Sequence, residues 1–157
     1  MRTFIRVEVY DYENDKSKSG FVSITDLIIR QVLNVPFETS DEELAKIIIE
    51  SKDPTVMELN ALLLGVLKDL PKPDVFTSDR ENKYCLFTED AYDARVDSFE
   101  LLNDIIQDFF PSYNLVMLEF DLPEEAILYE DEYQVVISKA DYETYRPEYH
   151  WAISSEV

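Results

Sequence analysis

Thr3, Ile5, Val7 and Val9 alternate with Phe4, Arg6, Glu8 and Tyr10 at the head of the chain, a period of two that predicts a β-strand. The polar stretch DYENDKSKSG, ending at Gly20, reads as a loop or long hairpin turn leading into Phe21 and Val22. From there the period lengthens. Ile24, Leu27, Ile28, Val32 and Leu33 recur at helical spacing, with Ser23 or Thr25 as cap and Asn34 to Pro36 as stop. Ser40 and Glu43 stand at capping-box spacing ahead of Leu44, Ile47 and Ile48, which predicts a second helix. Asp53 and Pro54 open a third, through Met57, Leu59, Leu62, Leu63, Val66 and Leu67 to the stops Pro71 and Pro73. Being apolar nearly all round, it has the pattern of a buried helix.

Beyond Val75 the period shortens again. Val75 to Thr77 and Lys83 to Thr88 predict a hairpin around SDREN, and Tyr113 to Asp121 and Tyr133 to Ser138 predict two strands joined by LPEEAILYEDE. Between them EDAYDARVDSFELLNDIIQD, from Glu89 to Asp108, predicts one long amphipathic helix ended by Pro111. Tyr92, Val96, Phe99, Leu102, Ile106 and Phe109 share its apolar side, and Glu89, Asp93, Asp97, Glu100, Asp104 and Asp108 lie opposite. Helical steps of three and four keep the six acids within an arc of about 100° and spread them along roughly 28 Å. Arg95 falls on the apolar side, where it marks a break in the helix or pairs with a carboxylate at the edge of the core. With no repeat, low-complexity tract or linker in view, residues 1–157 are expected to form a single α+β domain. The expected order is an N-terminal strand, a helical segment of three helices, then a mainly antiparallel sheet carrying one long acidic amphipathic helix.

Composition changes this picture in one respect. A chain of 157 residues with 46% hydrophobic and 13% aromatic residues can bury a core. Yet 34 acids stand against 14 bases, a formal charge of −20, beyond what solubility requires. The imbalance is uneven: residues 1–75 hold 14 acids and 9 bases, net −5, and residues 76–157 hold 20 and 5, net −15. From Tyr84 to Ser138 there are 14 acids and one base, Arg95. Such a surface repels nucleic acid and anionic membrane and steers basic partners toward it. The single cysteine, Cys85, excludes an intramolecular disulfide, and neither a secretory signal nor a membrane-spanning run is visible, so a cytoplasmic protein is expected.

Catalytic and cofactor motifs are rejected one by one. His150 near the C-terminus has no serine or cysteine motif beside it, and Cys85 sits in the apolar run YCLF as a small hydrophobe. With Gly20 and Gly65 the only glycines, no glycine-rich phosphate loop exists. DYENDKSKSG has alternate carboxylates but lacks the glycine at its sixth place and the glutamate at its twelfth that a calcium loop needs. Pro73, Asp74, Glu81 and Lys83 match the letters of the PD-(D/E)xK nuclease pattern, but Glu81 falls in the expected turn and the chain has no basic patch for a polyanion. No enzyme, cofactor or metal is therefore expected.

The acidic stripe remains. A solvated helix face would intersperse lysines for favourable i,i+4 pairs, whereas here like charges repel by about 0.2–0.5 kcal/mol per pair. A second group, Glu130, Asp131 and Glu132, lies among Tyr129, Tyr133, Tyr142, Tyr145, Tyr149 and Trp151, a mixture suited to ion pairing and cation–π contact with Arg and Lys. In composition the chain looks like the small acidic anti-defence proteins of phages and mobile elements that oppose CRISPR effectors or restriction enzymes. That likeness implies a nucleic-acid mimic that blocks the basic cleft of a nuclease or CRISPR-effector type of enzyme through these nine acids. The alternatives are an immunity protein neutralising a toxin nuclease and a non-enzymatic acidic adaptor.

Overall fold

In the computed structural model, which describes residues 1–67, 70 and 82–153, helices pack on an antiparallel sheet whose middle strand is β1 (Arg2–Asp11). β1 pairs along its whole length with β4 (Tyr113–Leu122), from Arg2 against Leu122 to Asp11 against Tyr113. Its other edge meets β3 (Lys83–Phe87) at Ile5 and β2 (Lys16–Gly20) from Glu8 onward, with a register shift between Val9 and Tyr10. β3 leads outward to β6 (Gln134–Ser138) and β5 (Tyr129–Glu130), and β4 to β7 (Trp151–Ala152). Among the described residues every pairing is antiparallel.

The mixed helical and antiparallel character matches the sequence reading, but its order of strand, three helices and then sheet does not. The first strand is the centre of the sheet, and a second strand precedes the helices. β1 buries Phe4 on one face and Ile5, Val7 and Val9 on the other. Only a strand covered on both sides can bury both sets. The sheet is thus assembled from both ends of the chain around the intervening helices.

Local signals place those helices with uneven success. α1 (Phe21–Val32) starts at Gly20 without a side-chain cap, ahead of the expected Ser23 or Thr25. The Thr25 hydroxyl instead donates back to the Phe21 carbonyl at 2.8 Å. The helix ends where predicted, at Asn34, whose φ of 53° is left-handed. Ser40 caps α2 (Asp41–Glu50) by accepting from the Glu43 amide at 3.2 Å, and Asp53 caps α3 (Pro54–Leu67) by accepting from Thr55 and Val56 at 2.9 and 3.1 Å. α3 is not buried all round: Val56, Leu59 and Val66 are in the core, but Met57, Leu64 and Leu67 are exposed. A helix without a polar face carries no signal of which side meets the sheet.

The long acidic helix is two helices, α4 (Glu89–Asp93) and α5 (Val96–Phe109), separated at Ala94 and Arg95. The cause is Arg95. Only 9% exposed, it donates Nε to the Val66 carbonyl at 2.6 Å and Nη1 to the Ala91 carbonyl at 2.9 Å. A buried guanidinium needs acceptors for its donors, and among the described residues it finds these two backbone carbonyls. The expected hairpin strand Val75 to Thr77, residues 78–81 of its SDREN turn, the stops Pro71 and Pro73, and Asp74 and Glu81 lie outside the described residues.

Two cores result. One packs Ile5, Val7, Val9 and Leu115 of the sheet under α1, α2, α3 and α5, with Phe21 edge-on to Phe99 at 5.2 Å. The other packs Phe4, Leu118, Phe120, Leu122, Val135 and Ile137 under Tyr142 of α6 (Lys139–Tyr145), whose ring stacks on Tyr84 at 4.0 Å. Buried Asn103 of α5 ties helix to sheet and tail: its Oδ1 accepts from the Leu115 amide and its Nδ2 donates to the Ile153 carbonyl, both at 2.8 Å. Asn103→Leu leaves both backbone groups without that partner and is expected to cost about 2–4 kcal/mol. Urea unfolding checks the cost, and faster amide exchange at Leu115 localises it. Among the described residues no helix is long and apolar enough to cross a membrane.

Candidate functional site

Thr88 begins the acidic face. Its Oγ1 accepts from the Ala91 amide at 3.2 Å, capping α4, so Glu89 and Asp90 stand in the first helical turn, where the positive end of the helix dipole stabilises them. Beyond the break, Asp97, Glu100, Asp104 and Asp108 follow on α5, opposite the buried Phe99, Leu102 and Ile106. Four acids over twelve residues of one helix span roughly 17 Å in an arc of about 80°. Glu100 is partly buried and the other five stripe acids are exposed.

Acids on both sides of the break act on one buried group. Tyr92, buried at the end of α4, has its phenol pushed up to about 12 by burial and then by the charges of Asp93 and Glu100, one from each side of the break. A single hydroxyl therefore feels both halves of the row. The chain also brings the second acidic group to the start of the first. Thr88 donates its hydroxyl to the Glu132 carbonyl at 3.1 Å and its amide to the Tyr133 carbonyl at 2.9 Å. The turn at residues 130–132 thus lies against the α4 cap, 44 residues away in sequence.

Not all nine acids are equally placed. Glu130 is held by Arg2, with Nη1 to Oε1 at 2.9 Å and a second, shorter contact from Nη2, and these bonds keep its carboxyl below the usual range. Asp131 shapes its own turn, accepting from the Tyr133 and Gln134 amides at 2.8 and 3.0 Å and from the Tyr129 hydroxyl at 2.8 Å. Glu132 is exposed. None of the six stripe acids forms an ion pair among the described residues. Asp90, which the spacing rule passed over, is exposed beside Glu89 and adds to the face.

The five described arginines are engaged with their own chain. Arg30, 6% exposed, bonds Asp26 at 2.9 Å, Asp41 at 3.3 Å and the Thr39 carbonyl at 2.9 Å. Arg6 donates to the Cys85 carbonyl at 3.0 Å and lies over Tyr84 and Tyr142, while Arg146 grips Glu8 with two bonds of 2.9 and 2.8 Å. Arg2 spans Glu124 and Glu130, and Arg95 is buried as described. The only base in the sequence between Tyr84 and Ser138 is therefore buried, in a stretch that holds 14 acids.

The remaining candidates are scattered. Cys85 lies partly buried in β3. His150 sits 4.5 Å from the Tyr10 ring, with Nε2 at 3.3 Å from the Tyr12 hydroxyl. Of the aromatic tail, Tyr142 is core, Tyr129, Tyr133 and Tyr145 are half-buried, and Tyr149 and Trp151 are exposed. Comparison with protein-family models, curated proteins and solved structures found no match.

Proposed function

We propose that the protein acts by binding, as an acidic inhibitor whose carboxylate face occupies the basic cleft of a DNA- or RNA-binding enzyme of nuclease or CRISPR-effector type in place of phosphates. The observation that carries this reading is the row on α4 and α5, which forms no ion pair among the described residues and at whose break Arg95 is buried. On α5 the row has about one charge per 5.5 Å, against one phosphate per ~3.4 Å along a single strand. It imitates one sparse strand rather than a duplex, and Glu89, Asp90 and Glu132 extend it.

The experiment is capture from lysate on the immobilised protein, followed by competition. An enzyme retained through its cleft is released by its own nucleic-acid substrate, and its cleavage or binding activity falls as the acidic protein is added. An immunity protein would retain a toxin nuclease in the same assay, whereas an adaptor would retain proteins that nucleic acid does not displace. The protein alone is expected to bind neither DNA nor RNA, since its face repels phosphates. Filter binding at low salt measures this, and retention of single- or double-stranded nucleic acid at micromolar protein removes the inhibitor reading.

A further inference from the structure

α3 is apolar on the side it shows to solvent. Met57 is 57% exposed and Leu64 63%, and Ala61 between them is exposed as well. Steps of four and three residues put all three on one face. The only charged residue of α3, Glu58, stands at the edge of that face.

This face adjoins α5 and its acids. A Cβ on Gly65 would lie 3.9 Å from Ser98 Oγ, and Arg95, just ahead of α5, holds the Val66 carbonyl. Leu101, one turn beyond Ser98, is 51% exposed. Around the α5 axis it falls within about 40° of Asp97 and Asp108. An apolar surface and a carboxylate row therefore share a border, and α3 and α5 present them together.

We infer that Met57, Leu64 and Leu101 form the apolar part of a docking surface whose occupant is a basic amphipathic segment of a partner protein. This rests on the binding role proposed above and specifies the partner's chemistry. Charge decides between occupants. A second copy would bring one acidic row toward another, and an uncharged apolar surface would strip water from carboxylates without supplying counter-charges. Apolar side chains flanked by Lys or Arg satisfy both halves, with the apolar contact at the centre and the ion pairs at its rim. Charge alone would accept any basic surface, and the leucines add selectivity.

Two synthetic peptides of about 18 residues, five helical turns, test this. One has leucines on one face and lysines on the other. The second has serines in place of leucines at equal charge. By fluorescence anisotropy at about 0.15 M salt, the native protein should bind the leucine peptide roughly tenfold more tightly, as partial burial of two leucines allows. Leu64→Ser with Leu101→Ser should erase that preference while leaving the serine peptide unaffected, and circular dichroism confirms that the variant is folded. Equal affinity of the native protein for both peptides overturns the inference, as does a preference that survives the double change. Sedimentation showing a native dimer that the same changes dissolve also overturns it, by assigning the face to a second copy. If the leucine preference is absent while lysine substitutions on α5 still abolish binding of both peptides, the acidic reading stands without the apolar one. If α5 substitutions change nothing, the acidic reading falls.

Discussion

Changing Asp93, Asp97, Glu100 and Asp104 to lysine weakens binding to the captured enzyme by about a thousandfold or more, because each change replaces an attractive pair with a repulsive one. The control set is Glu13, Glu38, Glu42 and Glu50, all exposed acids of the first half. Changing these to lysine moves the net charge equally and should alter binding by less than about tenfold. Asp15 is left out of the control because its carboxylate accepts from the Tyr10 hydroxyl. Folding is expected to survive in both sets: lysines at 93, 97, 100 and 104 repel one another as the acids did, and only the pairs with unchanged acids such as Glu89 and Asp108 become attractive, so the stripe variant should differ in stability by no more than about 0.2–0.5 kcal/mol per altered pair. Titration calorimetry on folded variants, with the native protein measured from about 0.1 to 0.5 M salt, reads the result. Equal loss from both sets means that net charge acts diffusely. Loss from neither returns the row to an ordinary solvated face.

That comparison is possible because the stripe was legible in the sequence, though its geometry was not. Helical spacing showed that the acids share a side and that Phe99, Leu102 and Ile106 oppose them, and these three are fully buried. Spacing also placed Arg95 on the wrong side but left two outcomes open. The break is what the fold shows, and one acceptor Arg95 meets there is the Val66 carbonyl, 29 residues away in sequence; no local rule reports where another helix presents an acceptor. For the same reason Glu130 and Asp131 looked like Glu132 until the fold supplied Arg2 to the first and a turn to the second. Side-chain caps were read at Ser40 and Asp53, whereas Thr88 and Ser138, which cap α4 and α6, were read only as strand ends, and α6 itself was not expected. The start of α1 was missed, since Gly20 offers no side-chain cap and the hydroxyl expected to serve turned inward. The exposed side of α3 was invisible, because uniform apolarity encodes burial without direction.

The alternation along β1 put Arg6 and Glu8 on one face of the strand, and what covers that face sets a large expected stability effect. Glu8, 4% exposed, accepts two bonds from Arg146 and one from Ser17 at 2.7 Å, with Arg6 Nε 3.9 Å away. Burial pushes the Glu8 carboxyl up, but the bonds from Arg146 and Ser17 and the charges of Arg146 and Arg6 outweigh it and hold it below its ordinary value. A carboxyl depressed in the folded state contributes stability above its unfolded value of about 4.3, and that stability is lost as pH falls through the folded value. Arg146→Leu removes the main partner and leaves a buried carboxylate, at an expected cost of about 3 kcal/mol, near the low end for a broken buried pair because the Arg146 side chain is 33% exposed. Glu8→Leu should cost less, about 2 kcal/mol, since the freed Arg146 can reach water. Together the two changes should cost about 2 kcal/mol, well below their sum, because Glu8 and Arg146 no longer leave each other unpaired and what remains is the loss of the carboxylate beside buried Arg6. Urea unfolding at neutral pH measures all three, and single variants within about 0.5 kcal/mol of the native protein would show that Glu8 and Arg146 contribute no more than a surface pair. Repeating the series from about pH 5 to pH 3 isolates the titration: the native protein should lose stability more steeply than the double variant, whose residue 8 has no proton to gain.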